Sequence, residues 1–95
     1  MSDWRVYMIR ARSGKLYTGI STDVERRYRE HSEGGVKGAR FFRGDPPQAL
    51  VYTETAADRA EASRREAAIK RLSRREKLAL IKTHRAHLVV GEEIG

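Results

Sequence analysis

The hydrophobic and polar positions of the first third of the chain follow two different periods. Trp4 to Arg10 and Lys15 to Ile20 are short runs rich in Val, Ile and Tyr, joined by the polar link Ala11-Arg12-Ser13-Gly14. That pattern predicts a β-hairpin. Beyond Ile20 the period lengthens: Val24, Arg27, Tyr28 and His31 fall at i, i+3, i+4 and i+7, one stripe of a helix. Thr22 with Glu25 three residues on reads as a capping box, and Asp23 suits the positive end of the helix. The stripe that should pack on the hairpin therefore carries an arginine and a histidine. Arg26, Arg29, Glu30 and Glu33 already supply an ordinary polar face, so the inward pair calls for a reason.

Further along, Gly34-Gly35, Gly38, Gly44 and Pro46-Pro47 punctuate the chain, and Val36 to Arg43 reads as a helical turn or an ordered loop. Gln48 to Thr53 predicts a third strand. Thr55 is expected to cap a helix from about Ala56 to Leu72, with Asp58 in its first turn. Ser73 with Glu76 forms a further capping box, opening a last helix from Arg74 to about Thr83. The expected fold is α+β, in the order β-β-α-β-α-α: a small three-stranded, mostly antiparallel sheet flanked by helices. Residues 1–83 are expected to form one domain and residues 84–95 a C-terminal tail, with weak strand character at Leu88-Val89-Val90.

Composition narrows the function classes. The chain has 95 residues and no cysteine, which removes disulfides, thiolate metal sites and cysteine nucleophiles together. It has no 18-residue apolar run and no signal-peptide pattern, so a cytoplasmic protein with no membrane partner is expected. Twenty Lys and Arg oppose thirteen Asp and Glu, for a net charge of +7, and fifteen of the twenty are arginine. Arginine presents a planar fork of donors suited to phosphate oxygens, which points to a nucleic-acid partner. The plainer reading is composition bias, because many basic residues alternate with glutamate, as in Arg64-Arg65-Glu66 and Arg74-Arg75-Glu76.

Individual residues add chemistry. On the long helix, Thr55, Arg59, Ala62, Glu66, Ile69 and Ser73 share a stripe, which places Glu66 between two packing positions. A carboxylate there needs a cation or several donors. An ion pair with Arg59, Arg65 or Arg27 would serve, and so would a metal. Tyr7 and Tyr17 stand on neighbouring strands, where packing is the ordinary role of tyrosine and convergence of the two hydroxyls the functional one. The loop Lys37-Gly38-Ala39-Arg40-Phe41-Phe42-Arg43-Gly44 interleaves basic and aromatic residues. Lys37, Arg40 and Arg43 suit phosphate contacts, and the phenylalanines suit either base stacking or anchorage in the core. Gly19 fits a strand position where substrate or another segment passes closely. His84 and His87 make an H-x-x-H pair with no third ligand at metal-site spacing, and read as surface residues.

The set Arg5-Val6-Tyr7, Tyr17-Thr18-Gly19, Thr22 to His31 with Arg27, and Ser63 to Lys70 with Glu66 resembles the GIY-YIG nuclease superfamily, and in particular its small stand-alone bacterial branch. The resemblance covers about residues 4–82. It implies a metal-dependent endonuclease-like domain that hydrolyses DNA phosphodiester bonds, directed by DNA structure rather than sequence, in DNA repair or recombination. It implies a single divalent metal, Mg²⁺ or Mn²⁺, at Glu66. Catalytic roles fall to Tyr7 and Tyr17, which position or deprotonate the attacking water, and to Arg27, which stabilises phosphate charge. His31 either relays a proton or braces Tyr7. Gly19 belongs to the second motif. Arg5 stands where the family name has glycine, and the chain has no asparagine, a residue several relatives place near the metal or phosphate. Well-understood relatives also carry a separate DNA-recognition domain, which this length leaves little room for. The alternative is a non-catalytic nucleic-acid-binding module on the same scaffold, or one that docks on a larger repair or recombination complex.

Overall fold

Strand β1 (Arg5–Ala11) is the middle strand of a three-stranded sheet ordered β2-β1-β3, in which both β2 (Leu16–Ser21) and β3 (Pro47–Thr55) pair with it antiparallel. The computed structural model describes the backbone of residues 3–94 and the side chains of residues 3–84. As the central strand, β1 is covered on both faces, which is why Val6-Tyr7-Met8-Ile9 is an unbroken apolar run whose four members are all buried. Val6 and Met8 point to one side, where they join Tyr52, Ala56, Ala62, Ile69 and Ile81. Tyr7, Ile9 and Ala11 point to the other, against Val24 and Phe42. Helix α1 (Val24–Glu33) and a 3-10 turn at Arg40–Phe42 cover the second face, while α2 (Arg59–Lys70) and α3 (Arg74–Ile94) cover the first. Among the described residues no helix is long and apolar enough to cross a membrane.

The element order and the antiparallel three-stranded sheet with three helices are those expected for an α+β fold of this kind. Several boundaries differ, each for a local reason. The N-cap of α1 is Asp23 rather than Thr22: its carboxylate accepts the Arg26 N–H at 3.1 Å. Thr55 does not cap α2. Pairing with Arg5 extends β3 through Thr55, and α2 begins after Asp58, whose carboxylate accepts the Glu61 N–H at 2.8 Å. The box at the start of α3 is formed as read, with Glu76 N–H donating to Ser73 Oγ at 3.1 Å and Ser73 N–H to Glu76 Oε1 at 2.9 Å. Helix α3 continues past Thr83 to Ile94, so the weak strand character at Leu88-Val89-Val90 is not realised in the backbone. The side chains of His87 and of residues 88–90 lie outside the described residues.

Candidate active site

Helix α1 lays Val24 and His31 into the core and leaves Arg27 and Tyr28 half-buried between them, so the inward stripe is populated as its spacing requires. His31, 2 % exposed, is held at both ring nitrogens. The backbone N–H of Ala39 donates to Nδ1 at 3.1 Å, and Nε2 lies 3.0 Å from the Tyr7 hydroxyl oxygen. A peptide N–H can only donate, so Nδ1 is an acceptor and the proton of the neutral ring sits on Nε2, donating to Tyr7. Burial, reinforced by the charge of Arg27, pushes the His31 pKa down to about 4, which keeps the ring neutral near pH 7.

Tyr7 faces Gly19 across the β1–β2 ladder. A Cβ at residue 19 would stand 2.5 Å from the Tyr7 hydroxyl oxygen and 2.7 Å from Cζ, so the phenol ring fills the space of the missing side chain. The segment that passes closely at Gly19 is therefore Tyr7 itself. Tyr17, half-buried, lies with its ring centroid 6.2 Å from that of Tyr7 and 5.2 Å from His31, edge-on to the imidazole. Burial and then the neighbouring Tyr17 raise the Tyr7 pKa; Arg27 opposes them by charge and hydrogen bonding, and the charge of Glu66 adds to the rise. Tyr7 is thus a neutral phenol at pH 7. Its oxygen accepts from His31, so its own proton points elsewhere.

Arg27 is oriented by Glu30, whose Oε1 accepts from Nη1 at 3.0 Å, and by a short hydrogen bond from the same nitrogen to the Lys37 carbonyl. These contacts engage Nη1, Arg27 also hydrogen-bonds toward the Tyr7 hydroxyl, and its side chain is 30 % exposed. The remaining donors of the fork leave it able to take an anion. Glu66 lies on α2 between buried Ala62 and Ile69, with its side chain 24 % exposed. Its ion-pair partner is Lys70, one helical turn on at 3.5 Å, rather than Arg59, Arg65 or Arg27. Arg59 instead stacks over Trp4, with Cζ 5.8 Å from the ring centroid, and Arg65 makes a two-pronged pair with Glu54 at 2.7 and 2.9 Å. The structure thus brings Tyr7, Tyr17, Arg27 and His31 together, and sets Glu66 close enough for its charge to act on Tyr7.

Among the described residues no three or more His, Asp or Glu gather as a metal-binding set. A single accessible carboxylate fits one kind of ion: a hard divalent cation that takes one or two protein oxygens and keeps water or phosphate oxygens elsewhere. Glu66 meets that description.

On the loop, Lys37, Arg40 and Arg43 are exposed. Phe42 is the core anchor, 7 % exposed, and packs on His31 with centroids 4.8 Å apart; Phe41 remains 37 % exposed. Sequence reasoning missed the Ala39 N–H, a backbone donor that no residue pattern announces. It also missed Gly38, where a Cβ would lie 2.9 Å from the Glu30 carbonyl oxygen; the glycine lets the loop close onto the end of α1 and deliver Ala39 to His31.

A small α+β scaffold that gathers two strand tyrosines with a helix arginine and histidine, and carries a partly exposed carboxylate on a second helix, is of a nuclease-like class. The family model for the GIY-YIG catalytic domain matches residues 3–79, and the chain belongs to that family. Among curated proteins it is 53 % identical over 78 residues to the UPF0213 protein PA3854 of Pseudomonas aeruginosa, spanning 82 % of this chain and 73 % of that protein. It is 46 % identical over 81 residues to the UPF0213 protein YhbQ of Escherichia coli, spanning 85 % and 79 %. The solution NMR structure of the UPF0213 protein BH0048 from Bacillus halodurans superposes with a TM-score of 0.53 at 41 % identity, over 84 % of this chain and 83 % of that one.

Proposed function

We propose that this protein is a divalent-metal-dependent endonuclease that hydrolyses DNA phosphodiester bonds, directed by DNA structure rather than sequence, in repair or recombination. The observation that carries the reading is the union of Tyr7, Tyr17, Arg27 and His31 at one place, with the partly exposed carboxylate of Glu66 on α2, in a chain of a nuclease family. A module that only bound nucleic acid would have no use for all five. Glu66 would hold one Mg²⁺ or Mn²⁺, which when bound supplies positive charge at the phosphate.

The chain's own residues do the rest. Arg27, pre-oriented by Glu30 and the Lys37 carbonyl, offers its free donors to the non-bridging phosphate oxygens and to the charge that grows there. His31 is a positioning residue: with Nδ1 occupied by Ala39 and Nε2 already protonated, it has no free site to accept the Tyr7 proton, and it braces the phenol instead. The Tyr7 proton, not held by His31, is left to orient the attacking water or a phosphate oxygen; Tyr17 lines the same wall. Lys37, Arg40 and Arg43, exposed on the neighbouring loop, contact the backbone without reading bases.

The test is a cleavage assay on nicked, flapped, branched and single-stranded DNAs with Mg²⁺ or Mn²⁺, beside Arg27→Ala. Metal-dependent cleavage that vanishes in the variant supports the proposal. Absence of cleavage across the panel, with DNA binding intact, would establish the binding-module alternative.

A further inference from the structure

The tip of the hairpin and the start of α3 form a second basic surface that the candidate active site does not use. Lys15, Leu16, Phe41, Arg74 and Lys77 line an open cavity of about 250 Å³. Its three cations come from positions sixty residues apart, tied together by a hydrogen bond from Arg74 Nη1 to the Gly14 carbonyl at 3.1 Å. That bond occupies one donor of the guanidinium and leaves the others available. Of the nearby carboxylates, Glu76 is spent on the helix cap at Ser73, and Asp45 is hydrogen-bonded to Ser13, where it feels the charge of Lys15. Among the described residues neither Lys15 nor Lys77 is ion-paired.

One wall of this cavity is aromatic. Phe41 is among the few large apolar side chains left exposed, and its inner side abuts Tyr17 at a centroid distance of 5.4 Å. Tyr17 in turn reaches Tyr7 at 6.2 Å. The cavity is thus joined to the candidate active site by a continuous run of rings. A cation-lined groove floored by an aromatic face is how proteins hold unpaired nucleotides, with phosphates on the charges and a base on the ring. A duplex keeps its bases stacked on one another and offers Phe41 no face.

We infer that the Lys15–Phe41–Arg74–Lys77 groove binds a single-stranded DNA segment next to the scissile phosphate, with one base stacked on Phe41. The inference rests on the proposed nuclease reading and extends it, naming an unpaired strand as the substrate's defining feature.

The experiment measures binding without cleavage. A short fluorescein-labelled oligothymidylate and a duplex of equal length are titrated by fluorescence anisotropy in the presence of a chelator, against wild type, Phe41→Leu, Phe41→Tyr and the double variant Lys15→Gln/Lys77→Gln. Phe41→Leu should weaken single-strand binding about five-fold or more, with duplex affinity changed by less than about two-fold; Phe41→Tyr, which keeps the ring, should match wild type. The double lysine variant should reduce the logarithmic salt slope for the single strand by about 1.4, roughly 0.7 for each lost phosphate contact. Equal losses on single strand and duplex, no loss in Phe41→Leu, or a Phe41→Tyr variant as weak as Phe41→Leu would overturn the inference. Tighter binding of an oligouridylate than of the oligothymidylate would overturn its assignment to DNA. The two proposals fail separately. Phe41-dependent single-strand binding without any cleavage under Mg²⁺ or Mn²⁺ sinks the nuclease reading alone, and cleavage by a protein whose Phe41→Leu form binds single strands normally sinks this one alone.

Discussion

Tyr7 occupies the side-chain space of Gly19, its partner across the β1–β2 ladder, with the hydroxyl oxygen 2.5 Å from where a Cβ would stand. Two functions meet in that relationship. The glycine lets the phenol lie over the neighbouring strand, and the phenol so placed reaches His31 at 3.0 Å. A glycine in the middle of a strand is a loss in β-propensity, which this packing offsets.

Gly19→Ala should therefore act through Tyr7 and not through backbone strain. The methyl group must displace the ring, at a cost of about 1–3 kcal/mol typical of an overpacked core, and must break the Tyr7–His31 hydrogen bond. Urea denaturation of Gly19→Ala, Tyr7→Ala and the double variant checks this. The glycine substitution should cost much less once the ring has gone, and additive costs would refute the steric account.

The imidazole of His31 predicts a pH dependence of stability. Its pKa lies near 4 in the folded chain, below the ordinary 6.5, so between those values the unfolded chain takes up a proton that the folded one refuses. Stability is then full above about pH 6.5 and falls as the pH drops toward 4, with a loss of up to roughly 3 kcal/mol at ~1.4 kcal/mol per pH unit. Denaturation midpoints measured at neutral and mildly acidic pH should diverge in the wild type and converge in His31→Gln, which cannot titrate.

A separate network stabilises the face covered by α2. Glu54 accepts both prongs of Arg65 and the Tyr52 hydroxyl at 2.5 Å, and Arg65 with Tyr52 holds its pKa below the usual carboxylate range. Arg65→Ala should cost about 1–2 kcal/mol, more than an ordinary surface pair, because it leaves a half-buried carboxylate facing only a phenol. Tyr52, pushed up to about 12 by burial and then by Glu54, stays protonated throughout. A thermal melt of Arg65→Ala no different from wild type would show the pair to be idle.

Much of this architecture was legible from spacing. The inward stripe Val24, Arg27, Tyr28, His31 and the packing pair Ala62 and Ile69 follow from helical period, while the central place of β1 comes only with the pairing of β3. Boundaries failed where two residues could do the same work. Thr22 and Asp23 are both good caps, and only the fold decides that the carboxylate meets the Arg26 N–H. Thr55 is a good cap too, until pairing with Arg5 claims it for β3. The Glu66–Lys70 pair obeys the i,i+4 rule, but Arg59 and Arg65 also stand nearby in sequence and only the fold gives them other partners. The Ala39 N–H on His31 and the approach of Arg74 to Gly14 were out of reach, because one is a backbone group and the other joins segments sixty residues apart.

Glu66 separates metal chemistry from scaffold. If the carboxylate exists to pair with Lys70, its loss is that of a surface ion pair 3.5 Å long, and Lys70→Ala should reproduce every effect of Glu66→Gln. If it holds a divalent ion, the two variants part. Glu66→Gln should lose Mn²⁺ binding by calorimetry, and cleavage on the order of a hundred-fold or more, the scale seen when one source of transition-state charge stabilisation is removed. Its DNA affinity should hold or rise, because a negative charge near the phosphates has gone. Lys70→Ala should keep both metal binding and cleavage. Neither variant should move stability by more than about 0.5 kcal/mol, since both side chains reach solvent and no buried charge is left unpaired. A Glu66→Gln protein that binds Mn²⁺ and cuts as well as wild type would leave the carboxylate with no role beyond the helix surface.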